Sequence, residues 1–149
     1  RQIRTVTAML LVSAFYFSRV VILEDPAEHR ARVEAIMNAS ARNNPKLGLT
    51  GALLCERGWF MQVLEGPRTA VSAMLARISR DPRHTSMVLA DVIEISERRH
   101  ADWSMGFIDA DTAPAELGRL PDLSLAPAET LRARVDAILA SPVRVKLSA

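Results

Sequence analysis

Strand alternation sends several polar side chains of this chain into an apolar interior, and there they could do chemistry. Trp59-Phe60-Met61-Gln62-Val63-Leu64-Glu65 puts Gln62 on the same face as Phe60 and Leu64. A buried amide brings two donors and an acceptor with two lone pairs, and leaving them unpaired costs roughly 1–3 kcal/mol. Gln62 therefore needs partners. Upstream, the same alternation places Tyr16 and Ser18 on one face, with Phe15 and Phe17 on the other. A phenol, a hydroxyl and an amide on neighbouring strands would form a polar network inside a core. Asn43 and Asn44 add two more amides, and together these groups call for a polar, planar ligand. Each has a plainer reading as well: backbone partners for Gln62, a core tyrosine whose hydroxyl reaches solvent, a helix stop for the asparagines.

The elements that must position these residues follow from the pattern. Residues 9 to 18 carry the β-branched and aromatic bias of a buried strand. Asp25-Pro26-Ala27-Glu28 is a helix start, and Val33, Ile36, Met37 and Ala41 follow at helical spacing up to Asn43-Asn44-Pro45. Leu49 to Cys55 and Trp59 to Glu65, joined by Glu56-Arg57-Gly58, predict an antiparallel hairpin. Gly66-Pro67 opens a second helix with Val71, Met74, Leu75 and Ile78 on one face, ending at Asp81-Pro82. Met87 to Ile95 and Trp103 to Ile108 supply two more strands, the last with Trp103, Met105 and Phe107 on one face.

The order β-α-β-β-α-β-β is that of an α+β, ferredoxin-like fold with an added strand, in which both helices cover one face of a mixed sheet. Residues 109 to 149, with a helical segment near Ala126 to Ala140, form an extension expected to cap the other face or to pack on a second subunit. The division expected is 1–108 for the sheet and its two helices and 109–149 for the extension.

Composition narrows the class. At 149 residues, 49% hydrophobic and 24% charged, the chain has the size and balance of one globular domain. Nineteen basic and 17 acidic side chains give +2 without a basic stripe, which argues against nucleic acid as a partner. The longest apolar stretch, Ala8 to Phe17, falls short of the ~20 residues needed to cross a bilayer. One cysteine, Cys55, can form neither an internal disulfide nor a zinc site, so the expectation is a reducing cytoplasm and no metal.

The motifs Asn43-Asn44-Pro45-Lys46-Leu47-Gly48-Leu49-Thr50-Gly51, Phe60-Met61-Gln62-Val63-Leu64-Glu65-Gly66, Asp81-Pro82-Arg83-His84 and Asp102-Trp103-Ser104-Met105 stand in an order and spacing that resemble the BLUF (blue-light-using-flavin) photoreceptor domain. The resemblance runs from about Phe15 to Phe107. It implies a flavin held non-covalently between the two helices, FAD first, with FMN or riboflavin as alternatives. Tyr16 matches the family's electron and proton donor, and Gln62 the glutamine between that tyrosine and the flavin. Asn44, with Asn43 beside it, would hold the ring's polar edge. Ser18 and Phe60 complete the pocket, while Arg77, Asp81 and His84 fall where the family meets the ribityl chain and phosphates. Trp103 and Met105 match the mobile pair on the fifth strand. Light would move an electron and then a proton from Tyr16 and leave the Gln62 amide rearranged, so the resemblance implies a switch and not an enzyme.

About forty residues beyond the sheet leave no room for an effector domain, so the expected output goes to a separate partner protein in trans, with a homo-oligomer also expected. The rival reading is a flavin-free binding or dimerisation module on the same scaffold. An acylphosphatase-like hydrolase lacks the Gly-rich phosphate cradle between strand one and helix one. Cys55 as a nucleophile with His29, His84 or His100 has no local signature.

Overall fold

The computed structural model describes residues 10–56, 58–102, 105–109, 125–140 and 146–148. Its elements are β1 (Leu11–Val20), α1 (Pro26–Leu47), β2 (Thr50–Glu56), β3 (Trp59–Pro67), α2 (Arg68–Ser79), β4 (His84–Ile95), β5 (Met105–Asp109), α3 (Ala128–Ala140) and β6 (Lys146–Ser148). The strands form one mixed sheet in the order β4-β1-β3-β2-β5-β6, in which β5 runs parallel to β2 and the other neighbours are antiparallel. The α+β, ferredoxin-like arrangement expected from the element order is the one observed.

Alternation along β1 and β3 builds two cores. Val20, Val33, Met37, Leu53, Phe60 and Leu64 pack together on one face, joined by Val12, Ala14, Leu49 and Val71 beneath α1 and α2. Phe15, Phe17, Leu54, Met61 and Val63 pack on the other face against Leu131 and Val135 of α3. The C-terminal helix thus caps the face that α1 and α2 leave open.

Helix α1 starts where the sequence places it: Asp25 Oδ1 accepts from the Ala27 N–H at 2.9 Å, and Pro26 takes the first turn, where its missing N–H costs nothing. Its end differs from expectation. Asn43, Asn44 and Pro45 do not stop the helix, which continues to Leu47. The stop comes at Gly48, whose φ of 71° lets its N–H turn back to the Asn44 and Pro45 carbonyls. Both asparagines therefore sit on helical backbone over the sheet, and their side chains are displayed from a fixed element.

Other boundaries move by a few residues. β1 runs two residues later than expected, and β4 begins at His84 rather than Met87. β5 begins at Met105, and Trp103 lies outside the described residues. The short β6 beside β5 carried no strand signal. Among the described residues, no helix is long and apolar enough to cross a membrane.

Candidate functional site

The sheet brings Tyr16 and Gln62 together before any side chain is considered, because they are direct partners in the β1–β3 ladder. Both are buried, at 4% exposure each. The Tyr16 hydroxyl donates to Gln62 Oε1, which leaves the amide nitrogen as the donating end of that side chain. Burial, and secondarily the negative charge of Asp81, pushes the Tyr16 phenol well above its ordinary value of 10.0. A neutral phenol is thereby held in place as a proton donor.

This pair lies at the floor of a cleft between α1 and α2 that encloses about 780 Å³ of non-protein space, part of it open to solvent. Ile36 and Ala39 of α1, Met74 and Ile78 of α2, and Leu53 and Phe60 from the sheet supply apolar walls. Asn43 and Asn44 line the same cleft from the end of α1, Asn44 at 2% exposure. Arg77, Asp81 and His84 line it from the end of α2 and the start of β4. A cleft that is apolar on its walls, with a few convergent polar groups, suits a small organic ligand.

His84 is fixed at both ring nitrogens. Nε2 lies 2.6 Å from the Ile78 carbonyl, which can only accept, so Nε2 carries a hydrogen. In the neutral ring, Nδ1 then accepts from the Ser18 hydroxyl at 2.7 Å. Ser18 is fully buried on β1 and is not among the residues lining the cleft; it touches one of them, His84. The His84 ring also meets Tyr16 edge-on, with centroids 6.3 Å apart.

Asp81 is committed to its own loop. Its Oδ1 accepts from the Arg83 backbone N–H at 2.9 Å, and both oxygens accept from the Arg83 guanidinium, down to 2.6 Å. The Arg83 hydrogen bonds hold the Asp81 carboxyl below its ordinary value. Arg83 itself lines the cleft and was not anticipated from the sequence; the two-residue spacing in Asp81-Pro82-Arg83 is the signal that could have found it.

Of the expected site residues, Tyr16, Asn43, Asn44, Phe60, Gln62, Arg77, Asp81 and His84 meet around this one cleft. Met105 opens β5, which pairs with β2 beyond β3, and Trp103 falls outside the described residues. Two buried charges also escaped the sequence reading. Glu65, fully buried at the end of β3, accepts from the backbone N–H groups of Arg99 at 2.8 Å and His100 at 2.9 Å and from the Thr50 hydroxyl at 3.0 Å. On the face opposite the cleft, the Arg132 guanidinium of α3 reaches Asp91 at 3.0 Å through Nε and the Ser13 hydroxyl at 2.6 Å.

A family model described as "Sensors of blue-light using FAD" matches residues 5–106. The solved dark-state structure of BlrB, a BLUF protein, is 36% identical, with a TM-score of 0.71 over 87% of this chain and 98% of that one. The photoactivated adenylate cyclase subunit beta of Euglena longa is 40% identical over 77 residues, 51% of this chain and 9% of that protein. The blue light- and temperature-regulated antirepressor BluF of Escherichia coli (strain K12) is 35% identical over 57 residues, 38% of this chain and 14% of that protein. The chain thus spans a small fraction of the length of these curated relatives but nearly all of BlrB. With its Tyr16–Gln62 pair at the floor of a cleft between two helices, this chain belongs to the BLUF family of blue-light sensors that use FAD.

Proposed function

We propose that the cleft between α1 and α2 is the flavin site, with FAD held by Tyr16, Asn43, Asn44, Phe60, Gln62, Arg77, Asp81, His84 and Met105, and with Ser18 acting through His84. The observation that carries this reading is the Tyr16–Gln62 hydrogen bond at the floor of a cleft with apolar walls and amides at its rim. That donor set fits a flat ring system with a polar edge, and Arg77 and the Asp81-paired Arg83 add cations to the lining that would suit a phosphate tail. When bound, the flavin supplies the light absorption and accepts an electron.

The chain's own part is proton and amide chemistry. Tyr16 is the donor, and its hydroxyl proton already points at Gln62 Oε1. Loss of an electron makes the Tyr16 hydroxyl strongly acidic, so its proton would leave along the hydrogen bond to Gln62 toward the cleft, and electron and proton would both return to Tyr16, leaving only the amide changed. The Gln62 amide then turns and exchanges the ends it presents to Tyr16 and to the cleft. No substrate is turned over; the product is a changed hydrogen-bond pattern on β3.

The same proposal assigns residues 1–108 to light sensing, with Trp103 and Met105 as the mobile pair, and residues 109–149 to output toward a separate protein in trans. The anchoring of α3 on the face opposite the cleft supports this division. A cytoplasmic setting belongs to the same reading and rests on the lone, buried Cys55. Purified protein should be yellow and release FAD on denaturation. Protein that stays colourless after incubation with FAD and FMN overturns the assignment.

A further inference from the structure

Across Ser18, β4 carries one residue more than β1. Leu89 stands opposite Tyr16 and Val88 opposite Phe17, yet Thr85 stands opposite Arg19 and His84 opposite Val20. The extra residue is absorbed in a bulge at Ser86 and Met87, where Ser86 takes a φ of 56°, in the left-handed region that residues other than glycine seldom adopt. In an unbroken ladder His84 would fall one position beyond Val20, with its side chain on the face away from α1 and α2. The bulge instead sets it opposite Val20, which packs with Phe60 beneath those helices.

Set there, the His84 ring closes a chain of contacts beside Tyr16. Ser18 shares a face of β1 with Tyr16, standing opposite Phe60 as Tyr16 stands opposite Gln62, and is fully buried. Its hydroxyl meets His84 Nδ1 at 2.7 Å, while Nε2 meets the carbonyl of Ile78, in the last turn of α2, at 2.6 Å. Hydrogen bonds at both nitrogens of one ring fix its rotation. The fixed ring stands edge-on to Tyr16 at an interplanar angle of 61°, so the phenol has a rigid wall at its side and Gln62 at its tip. With both nitrogens engaged inside the chain, His84 turns only ring carbons toward a molecule in the cleft.

We propose that Ser18 and His84 are a positioning pair for the Tyr16 donor: Ser18 sets the His84 ring and the ring holds the phenol on Gln62, neither residue hydrogen-bonding the flavin. The proposal rests on the flavin reading of the cleft and gives His84 the part of a wall in it. The Tyr16 proton has one hydrogen bond to travel along, and a displacement of about 1 Å in a reacting group can cost about 10²-fold in rate.

The test follows the ring nitrogens of His84, one of three histidines, by nitrogen NMR in mildly alkaline buffer, together with the quantum yield of the red-shifted state and the affinity for FAD. Wild type should carry hydrogen on Nε2 and none on Nδ1, with and without FAD. Ser18→Ala should keep that hydrogen, move the Nδ1 signal to that of a nitrogen accepting no hydrogen bond, and lower the yield about threefold or more while FAD affinity stays within about twofold. Ser18→Thr, which retains the hydroxyl, should restore the Nδ1 signal and the yield. A yield unchanged by Ser18→Ala in protein that holds FAD, an equal loss in Ser18→Thr, or a hydrogen that moves to Nδ1 when FAD binds overturns the proposal. Wild-type protein that takes up no FAD overturns instead the reading of the cleft.

Discussion

Tyr16 and Gln62 face one another across the β1–β3 ladder, with the phenol donating to the amide oxygen, so their contact is fixed by backbone register. A one-residue slip of either strand would carry its residue to the opposite face and separate the pair. Removing either polar end should therefore leave the cleft's walls in place while abolishing its response. Tyr16→Phe and Gln62→Leu should each retain flavin, with a stability change of about 1 kcal/mol for the lost hydrogen bond, and neither should form a red-shifted state under blue light. A normal photocycle in Tyr16→Phe would show that another residue is the donor.

The chain's single tyrosine makes its ionisation directly readable. Burial, reinforced by Asp81, raises the Tyr16 phenol above its ordinary 10.0 in the folded state. The unfolded chain loses its phenolic proton first, so this contribution to stability is present below about pH 10 and is lost as pH rises beyond it. In near-ultraviolet titration, tyrosinate should appear only as the protein unfolds. Ionisation near pH 10 with the fold intact would contradict the burial of the phenol.

His100 gives the opposite dependence. Burial lowers its affinity for a proton, Arg99 and Arg132 act in the same direction, and Glu65 and Asp136 oppose them. As pH falls through about 6.5 the unfolded chain takes up a proton that the folded chain resists, so stability present above that pH declines below it. The unfolding midpoint of wild type should drop in this range more steeply than that of His100→Gln. Parallel curves would remove His100 from the acid response.

Arg132 fastens α3 to the sheet from the side away from the cleft, at 6% exposure, with Asp91 and Ser13 as its partners. Asp91→Ala leaves a buried guanidinium without its counter-charge and should cost about 3–5 kcal/mol, reduced somewhat by the partial exposure of Asp91. Calorimetry should show this loss while the dark flavin spectrum stays unchanged. A shifted dark spectrum would mean that the two faces of the sheet are not independent.

Residues whose partners are local, or whose face follows from period-two alternation, were legible in the sequence. Tyr16, Ser18, Phe60 and Gln62 fall on the face that alternation assigns them, and the Asp25 cap is where the motif places it. Asn43 and Asn44 were harder, because Asn-Asn-Pro carries the chemistry of a helix stop; the end was set by a left-handed Gly48 four residues beyond Asn44. Glu65 and Arg132 were not legible at all. A buried carboxylate at a strand end and a buried guanidinium on an amphipathic helix look like solvated charges until the fold brings Arg99, His100, Asp91 and Ser13 to them from far along the chain.

The most direct test of the Tyr16–Gln62 switch is the absorption spectrum of the flavin-loaded chain in the dark, after blue light and after return to darkness. A reversible red shift of the flavin band with its intensity retained is the predicted result, as a changed hydrogen bond from the Gln62 amide requires. Bleaching of the band, or no change at all in protein that holds flavin, would contradict the account.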